Sequence, residues 1–416
     1  MTTLQIAALL IAFAGVFGAI NHLIFKLPSA IGILVVALLA SLAVIGADTL
    51  APTWGIGDSA RGLVRNIEFS SALLEGMLGL LLFAGALHVR IEDLRAQALT
   101  IGLMATLGVG LSTVIFGFGF SWITGMPILI ALTFGALISP TDPVAVLGVL
   151  KEANLPKTLE TKIAGESLFN DGVGYVVFLV LAGLAFPHSG GHVPHDALGI
   201  VLFFLQEAGG GALLGAILGW LVFQLMKRID DYPLEVLLSL GLAFGGYQLA
   251  VALHISGPIM AVVAGLFIGD QGVKYGMSET TRKYLDAFWK LIDEILNAAL
   301  FLLIGVEVLV VALGADIIVA ASAAIVLALV ARGAAVVVPI MILKPFQTYS
   351  RGVMPIMTWG GLKGGISVAL ALSLPDSEWK PLILAATYVV VLFSIIVQGL
   401  TIAPLAKKLG REPELL

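Results

Sequence analysis

The sequence predicts an all-α polytopic membrane protein with about 13 transmembrane helices. Three observations carry this. The 416 residues are 59% hydrophobic and only 12% charged, with a mean hydropathy of +1.06, whereas soluble domains carry about 25% charged residues. Apolar runs of roughly 20 residues recur from end to end, each long enough to span a bilayer as a helix. These runs are continuous rather than alternating, which excludes a β-barrel.

Taken in order, the spans fall at 4–25, 28–48, 69–89, 96–123, 127–150, 160–186, 198–226, 233–253, 256–270, 285–313, 316–343, 352–373 and 381–406. The first has no basic residue before it and no small-residue cleavage site, so it reads as a retained span rather than a signal peptide. The fifth is broken by Ser139-Pro140-Thr141-Asp142-Pro143, and the sixth carries the polar stretch Gly165-Glu166-Ser167-Leu168-Phe169-Asn170-Asp171-Gly172. The ninth is short and reads as tilted or partly re-entrant. The twelfth is weakened by Trp359-Gly360-Gly361-Leu362-Lys363-Gly364-Gly365. Spans five and twelve are an odd number of spans apart and so run in opposite directions. That is the pattern of inverted repeats whose discontinuous helices cross at the midplane, with spans one to six and eight to thirteen as the halves and span seven joining them.

Basic residues orient the chain. Seventeen of the 22 Lys and Arg fall on one side, in connections, the tail or the adjoining span ends, only Arg61, Arg65 and Lys380 fall on the other, and Arg332 and Lys363 lie deep inside spans. The N-terminus is therefore expected outside and the C-terminus in the cytoplasm. The absence of cysteine excludes disulfides and thiol chemistry. No phosphate-binding loop or nucleophile elbow is present, which argues against an ATP-driven pump or a membrane hydrolase. The sequence calls for no nucleic-acid partner, no cofactor and no soluble regulatory domain. The expected surroundings are membrane lipid.

The chemistry lies in the interruptions. Ionisable residues at bilayer depth are costly and usually mark ion or proton paths. Pro140 and Pro143 free backbone carbonyls around Thr141, and irregular backbone is tolerated there only when buried in protein or lining a cavity. Those carbonyls, the Thr141 hydroxyl and the Asp142 carboxylate form a hard-oxygen set suited to a small alkali cation; a kinked structural helix capped by Asp142 is the plainer alternative. Asp171 sits near the middle of span six with Ser167 one turn before it on the same face. Burial disfavours an ionised carboxylate and a neighbouring cation favours it, so such a site can exchange a proton for a metal ion near neutral pH. Otherwise Asp171 is an acid held by a structural hydrogen bond.

Glu166 and Asn170 share a face at i, i+4. A carboxylate at this depth needs a partner; Lys363 is the first candidate and Arg332 the second, in a mainly structural pair. Asn170 can bridge backbone groups freed by the breaks. Glu75 reads as a solvated helix end, Glu207 with Gly209-Gly210-Gly211 as close packing or a hinge, and Glu235 as a first-turn acid favoured by the helix dipole. Asp293 and Glu294 are expected near the inner mouth. His188, His192 and His195 read as solvated loop residues rather than a metal site.

The two motifs around Asp142 and Asp171, with Ser256-Gly257-Pro258 and the run from Trp359 to Leu370, resemble the signatures of NhaP-type monovalent cation/proton antiporters, over nearly the whole membrane region. The resemblance implies a thirteen-helix homodimer in a prokaryotic inner membrane. Residues 1–95 (helices 1–3) and 231–313 (helices 8–10) would form a dimerisation domain, 96–190 (helices 4–6) and 314–416 (helices 11–13) a core that moves like an elevator, and 191–230 (helix 7) the linker. Asp171 would bind Na⁺ (or Li⁺ or K⁺) and H⁺ in turn, assisted by Asp142, Ser167 and Thr141. Asn170-Asp171 resembles the electroneutral branch. Glu166, Asn170, Lys363 and Arg332 would stabilise the core. Two departures stand out: Lys363 replaces the usual Arg, and Phe83-Ala84-Gly85 lacks the acid many relatives carry. A channel would need a continuous wetted pore, and an organic-anion symporter would need a midplane cation not already held by Glu166.

Overall fold

The computed structural model describes residues 3–51, 55–65, 72–143, 146, 157–187, 194, 196–311, 315–347, 349 and 352–409. Among these residues the chain is helical throughout and contains no strand. The helices are α1 (Leu4–Phe25), α2 (Ser29–Leu50), α3 (Ile56–Arg65), α4 (Leu78–Leu87), α5 (Ile91–Thr124), α6 (Ile128–Ile138), α7 (Lys157–Ala185), α8 (Ala197–Met226), α9 (Tyr232–Ala252), α10 (Gly257–Phe267), α11 (Glu279–Glu307), α12 (Ala315–Leu343), α13 (Val353–Trp359), α14 (Gly365–Ser373) and α15 (Lys380–Leu409). Eight of them, α1, α2, α5, α7, α8, α9, α12 and α15, have the length and composition to cross a bilayer, and α4, α6 and α10 are shorter apolar helices.

Local chemistry sets the boundaries. Asp196, Asp231, Ser256 and Ser278 each accept a backbone N–H from the first turn of the helix they precede, which satisfies a donor that helix geometry leaves orphaned. Pro233 and Pro258 sit in first turns, where the missing N–H costs nothing. Gly125 adopts φ 73° and its N–H closes α5 onto the Ser121 carbonyl at 2.8 Å. Only glycine adopts this left-handed geometry cheaply, and Pro127 then starts α6 in the opposite direction.

Two expectations change. The short ninth span does not stop at residue 270: α10 continues as a widened helical turn through Ile268–Gly276. Asp270, at the expected end of that span, is buried. The polar connection at 49–68 contains α3, held to the end of α2 by Arg61, whose guanidinium bonds Asp48 and Asp58, each at 2.9 Å.

The interior divides into clusters that match this order. Leu82, Phe83, Met260 and Trp289 join α4, α10 and α11, with the Phe83 and Trp289 rings 4.7 Å apart. Phe116, Phe120 and Phe134 lock α5 to α6 with edge-on rings at 4.8 Å, and this cluster extends to α12, α14 and α15. Such aromatic pairs contribute about 1 kcal/mol each beyond their buried area. A third cluster, including Ile304, Val336, Met357 and Tyr388, ties α11 to α12, α13 and α15. α7 runs between these bodies and carries the polar motif into their centre.

Candidate functional site

The helix between Ile128 and Ile138 ends at the first break, and α13 and α14 flank the second. The two breaks meet. The Asp142 amide donates to the Leu362 carbonyl at 2.8 Å, so each interruption satisfies backbone that the other frees. The described part of span five ends there; Val144, Ala145 and the rest of that span, apart from Val146, lie outside the described residues. Close approach requires glycine: a Cβ at Gly364 would lie 2.6 Å from both Cβ and Oδ2 of Asp142.

α7 presents its polar stretch to the first break. Asn170 Nδ2 donates to Thr141 Oγ1 at 2.8 Å, and Thr141 N donates to Asn170 Oδ1 at 3.3 Å. Thr141 Oγ1 and Ser167 Oγ share a hydrogen bond at 3.0 Å. Asn170 therefore bridges the break as expected. The Thr141 and Ser167 hydroxyls bond each other, and Ser167 Oγ keeps an open lone pair.

The expected pairing of Glu166 with Lys363 is not what forms. Arg332 of α12 takes Glu166 with both terminal nitrogens, NH1 on Oε1 and NH2 on Oε2, the latter at 2.8 Å. Its Nε and NH2 also donate to the Met357 carbonyl at 3.2 and 3.0 Å. The planar guanidinium fork matches a carboxylate and still has donors to spare, which an ammonium cannot do. The guanidinium passes over Gly361, where any side chain would collide with it. Lys363 turns the other way. Its Nζ donates to the Ser139 carbonyl at 2.9 Å and the Pro140 carbonyl at 3.3 Å, and its backbone N–H is held by Ser394 Oγ at 2.8 Å. The midplane cation is thus held by two carbonyls of the first break rather than by Glu166.

Asp171 is 6% exposed and, with Asp142, Thr141 and Gly364, lines a cavity of about 710 Å³. The charges of Asp142 and Lys363 both act on it. Arg90, Lys157 and Lys290 lie toward the mouth together with Asp93, Glu160 and Asp286; Asp293 and Glu294 line the same cavity, as the sequence suggested. One lining residue escaped sequence reasoning. Ser367 is among the residues lining this cavity, and its buried Oγ has no hydrogen-bond partner among the described residues. Its position in the first turn after the second break was the available signal.

The weaker candidates fall elsewhere. Glu235 is fully buried and accepts from Thr281 Oγ1 at 2.9 Å. Gly210 and Gly211 bring α8 against Ile255 and Ser256, where a Cβ would have no room. His188, His192 and His195, and the side chain of Glu75, lie outside the described residues.

The chain matches known proteins over nearly its whole length. The family model described as "Sodium/hydrogen exchanger, transmembrane" matches residues 8–408. A curated relative named Na(+)/H(+) antiporter NhaP, from Pseudomonas aeruginosa, is 46% identical over 98% of this chain and 97% of its own. The Na(+)/H(+) antiporter NhaH of Halobacillus dabanensis is 37% identical over 93% of each. In three dimensions the fold resembles the sodium proton antiporter MjNhaP1 of Methanocaldococcus jannaschii, with a TM-score of 0.75 at 19% identity over 98% of this chain and 99% of that one. A match that encloses both helix breaks and every acid and base described around them makes this chain a member of the sodium/hydrogen exchanger family, a secondary transporter of Na⁺ and H⁺ rather than an enzyme.

Proposed function

We propose that this protein exchanges one Na⁺ for one H⁺ by competition at Asp171. Antiport of Na⁺ against H⁺ goes with the family; the stoichiometry, the ligand and the motion are the proposal. The observation that carries it is the meeting of the two breaks, Asp142 N to Leu362 O, beside a buried Asp171 that lines the 710 Å³ cavity. A carboxylate there can be neutralised by a proton or by an alkali ion. The two states exclude each other, because metal binding requires the deprotonated ligand. Asn170 is spent on Thr141 and brings no second proton, so the occupied site carries the same charge in both half-cycles. This supports electroneutral exchange.

The ion set is Asp171 with Asp142, freed carbonyls near Thr141, and water. Thr141 and Ser167 hold the wall in shape through their mutual bond, and Arg332, Glu166, Asn170 and Lys363 keep the breaks together. Li⁺ and K⁺ are the ions to compare. The cavity mouth carries Arg90, Lys157 and Lys290, which belong to the basic connections expected inside, so the conformation reads as inward-facing with the N-terminus outside and the C-terminus cytoplasmic. Alternating access then moves the body containing residues 96–190 and 314–416 against residues 1–95 and 231–313, with 191–230 as the link. The apolar residues that α1 exposes, among them Leu4, Ile11 and Val16, suit lipid or a second protomer in a prokaryotic plasma membrane.

The test is proton flux in proteoliposomes driven by a Na⁺ gradient, without and with a protonophore. Asp171→Ala should abolish it while the protein still elutes as a folded species. In the wild type the Na⁺ KM should rise as pH falls, approaching about tenfold per pH unit where the proton dominates. Exchange retained by Asp171→Ala would defeat the assignment.

A further inference from the structure

Along α11, Asp286, Asp293, Leu300 and Glu307 recur every seven residues. An α-helix rotates such a series by only about 20° per step, so the four share one stripe. The first three line the cavity that holds Asp171. Leu300 is the last cavity residue on α11. It packs into Gly365 of α14, where a Cβ would lie 2.2 Å from Leu300 Cδ1, and Ile304, Val308 and Val391 continue the apolar seal. Glu307 stands about 10 Å beyond Leu300 along the helix. It is only 7% exposed, and its carboxylate has neither a hydrogen bond nor an ion pair among the described residues. Ser41 Oγ of α2 has spent its one proton on the Gly305 carbonyl, at 3.2 Å. Tyr388 of α15 belongs to the same cluster as Val308, and the charge of Glu307 reaches it. The Tyr388 hydroxyl is also buried and has no hydrogen-bond partner among the described residues. An unpaired acid at membrane depth is costly, and apolar residues would make the same seal without it.

We propose that Glu307 is a cation-binding acid of the outer access route, holding Na⁺ between Asp171 and the outer compartment once the core has moved; this rests on the alternating-access reading above. The end of α11 that carries Arg282, Lys283 and Lys290 is the one expected inside, so Glu307 stands at the outer end. Glu307 lies in the stationary body and Tyr388 in the moving one. Sliding the core outward takes α14 off Leu300 and Tyr388 off Glu307. The stripe then meets outer water at Glu307, as it now meets the inner cavity at Asp286 and Asp293. A carboxylate is the hard oxygen donor that an alkali cation takes, and its negative charge draws cations into a narrow entrance. In the closed conformation the same acid is shut away behind the seal, so it does not compete with Asp171 for ions from the inner side. An acid kept only for packing would behave differently, because an uncharged isostere would replace it without effect.

The test measures the Na⁺ KM at each face separately, in right-side-out and inside-out vesicles at one fixed pH. Glu307→Gln should raise the outer KM about three- to tenfold, the loss of one charged ligand, and leave the inner KM unchanged. Glu307→Asp keeps the charge and should restore most of the outer affinity; it also stands in as the test if the Gln variant fails to fold. A second readout is independent of transport. The chain has no cysteine, so Glu307→Cys places a single thiol at this position. A membrane-impermeant maleimide should label it from the outer side and not from the inner side. Glu307→Gln with the wild-type KM at both faces, or with the same rise at both, would overturn the proposal. So would a thiol at 307 that stays unlabelled from outside. A wild type without Na⁺-driven proton flux overturns the exchange reading instead, and the labelling then still decides whether Glu307 opens to the outer side.

Discussion

Arg332 and Glu166 form a two-pronged ion pair in the membrane interior, and the same guanidinium holds the Met357 carbonyl. This one side chain connects α12, α7 and α13. Removing one partner of a buried pair leaves an uncompensated charge and costs about 3–5 kcal/mol. Arg332→Ala and Glu166→Ala should each lower the unfolding temperature in detergent sharply. The double variant should lose less than the sum, and strict additivity in a thermal-unfolding cycle would mean the two do not interact.

Lys363 has a different task. Because its ammonium holds the Ser139 and Pro140 carbonyls, Lys363→Ala should destabilise the break by about 1.5–3 kcal/mol and depress turnover. Lys363→Arg keeps the donors and should preserve folding and most activity. An alanine variant that melts with the wild type would remove Lys363 from this role.

Gly364→Ala adds one methyl group 2.6 Å from Asp142. Asp142 or the second break must shift to admit it, so exchange should fall at least about tenfold, an effect of roughly 1.4 kcal/mol or more on the transition state. Gly46→Ala, whose Cβ meets nothing within 4 Å, is the matched control and should transport normally. Equal rates for the two variants would show that the approach of Gly364 to Asp142 is not needed.

Ser367 Oγ has no partner among the described residues to lose. Ser367→Ala should therefore leave the melting temperature unchanged. If the hydroxyl serves the ion or its water, the Na⁺ KM should rise up to about fivefold, the worth of one hydrogen bond. Unchanged KM for Na⁺ and Li⁺ would make Ser367 a bystander.

Much of this was legible in the sequence because the bilayer imposes it. Helices are the only open-ended way to satisfy backbone in hydrocarbon, so apolar runs predict elements, and Pro140, Pro143 and the glycines from Gly360 to Gly365 announce where they fail. The choice between Lys363 and Arg332 was not legible. Both are single cations in neighbouring spans, and Lys363 lies in the non-helical stretch between Trp359 and Gly365, where helix periodicity does not fix direction. From there Lys363 reaches the first break, and Glu166 pairs with the guanidinium. The widened turn after Phe267 was equally hidden, since the burial of Asp270 depends on packing that only the folded chain supplies. Ser367 was overlooked because a lone hydroxyl after two glycines resembles any small residue in a crowded helix contact.

The bond from Lys363 to the Pro140 carbonyl spans 223 positions of sequence. During synthesis, span five enters the membrane long before the lysine that completes it has left the ribosome. Until then the Ser139 and Pro140 carbonyls lack the ammonium that holds them in the finished fold. Assembly of the transport centre is thus deferred to the last part of translation.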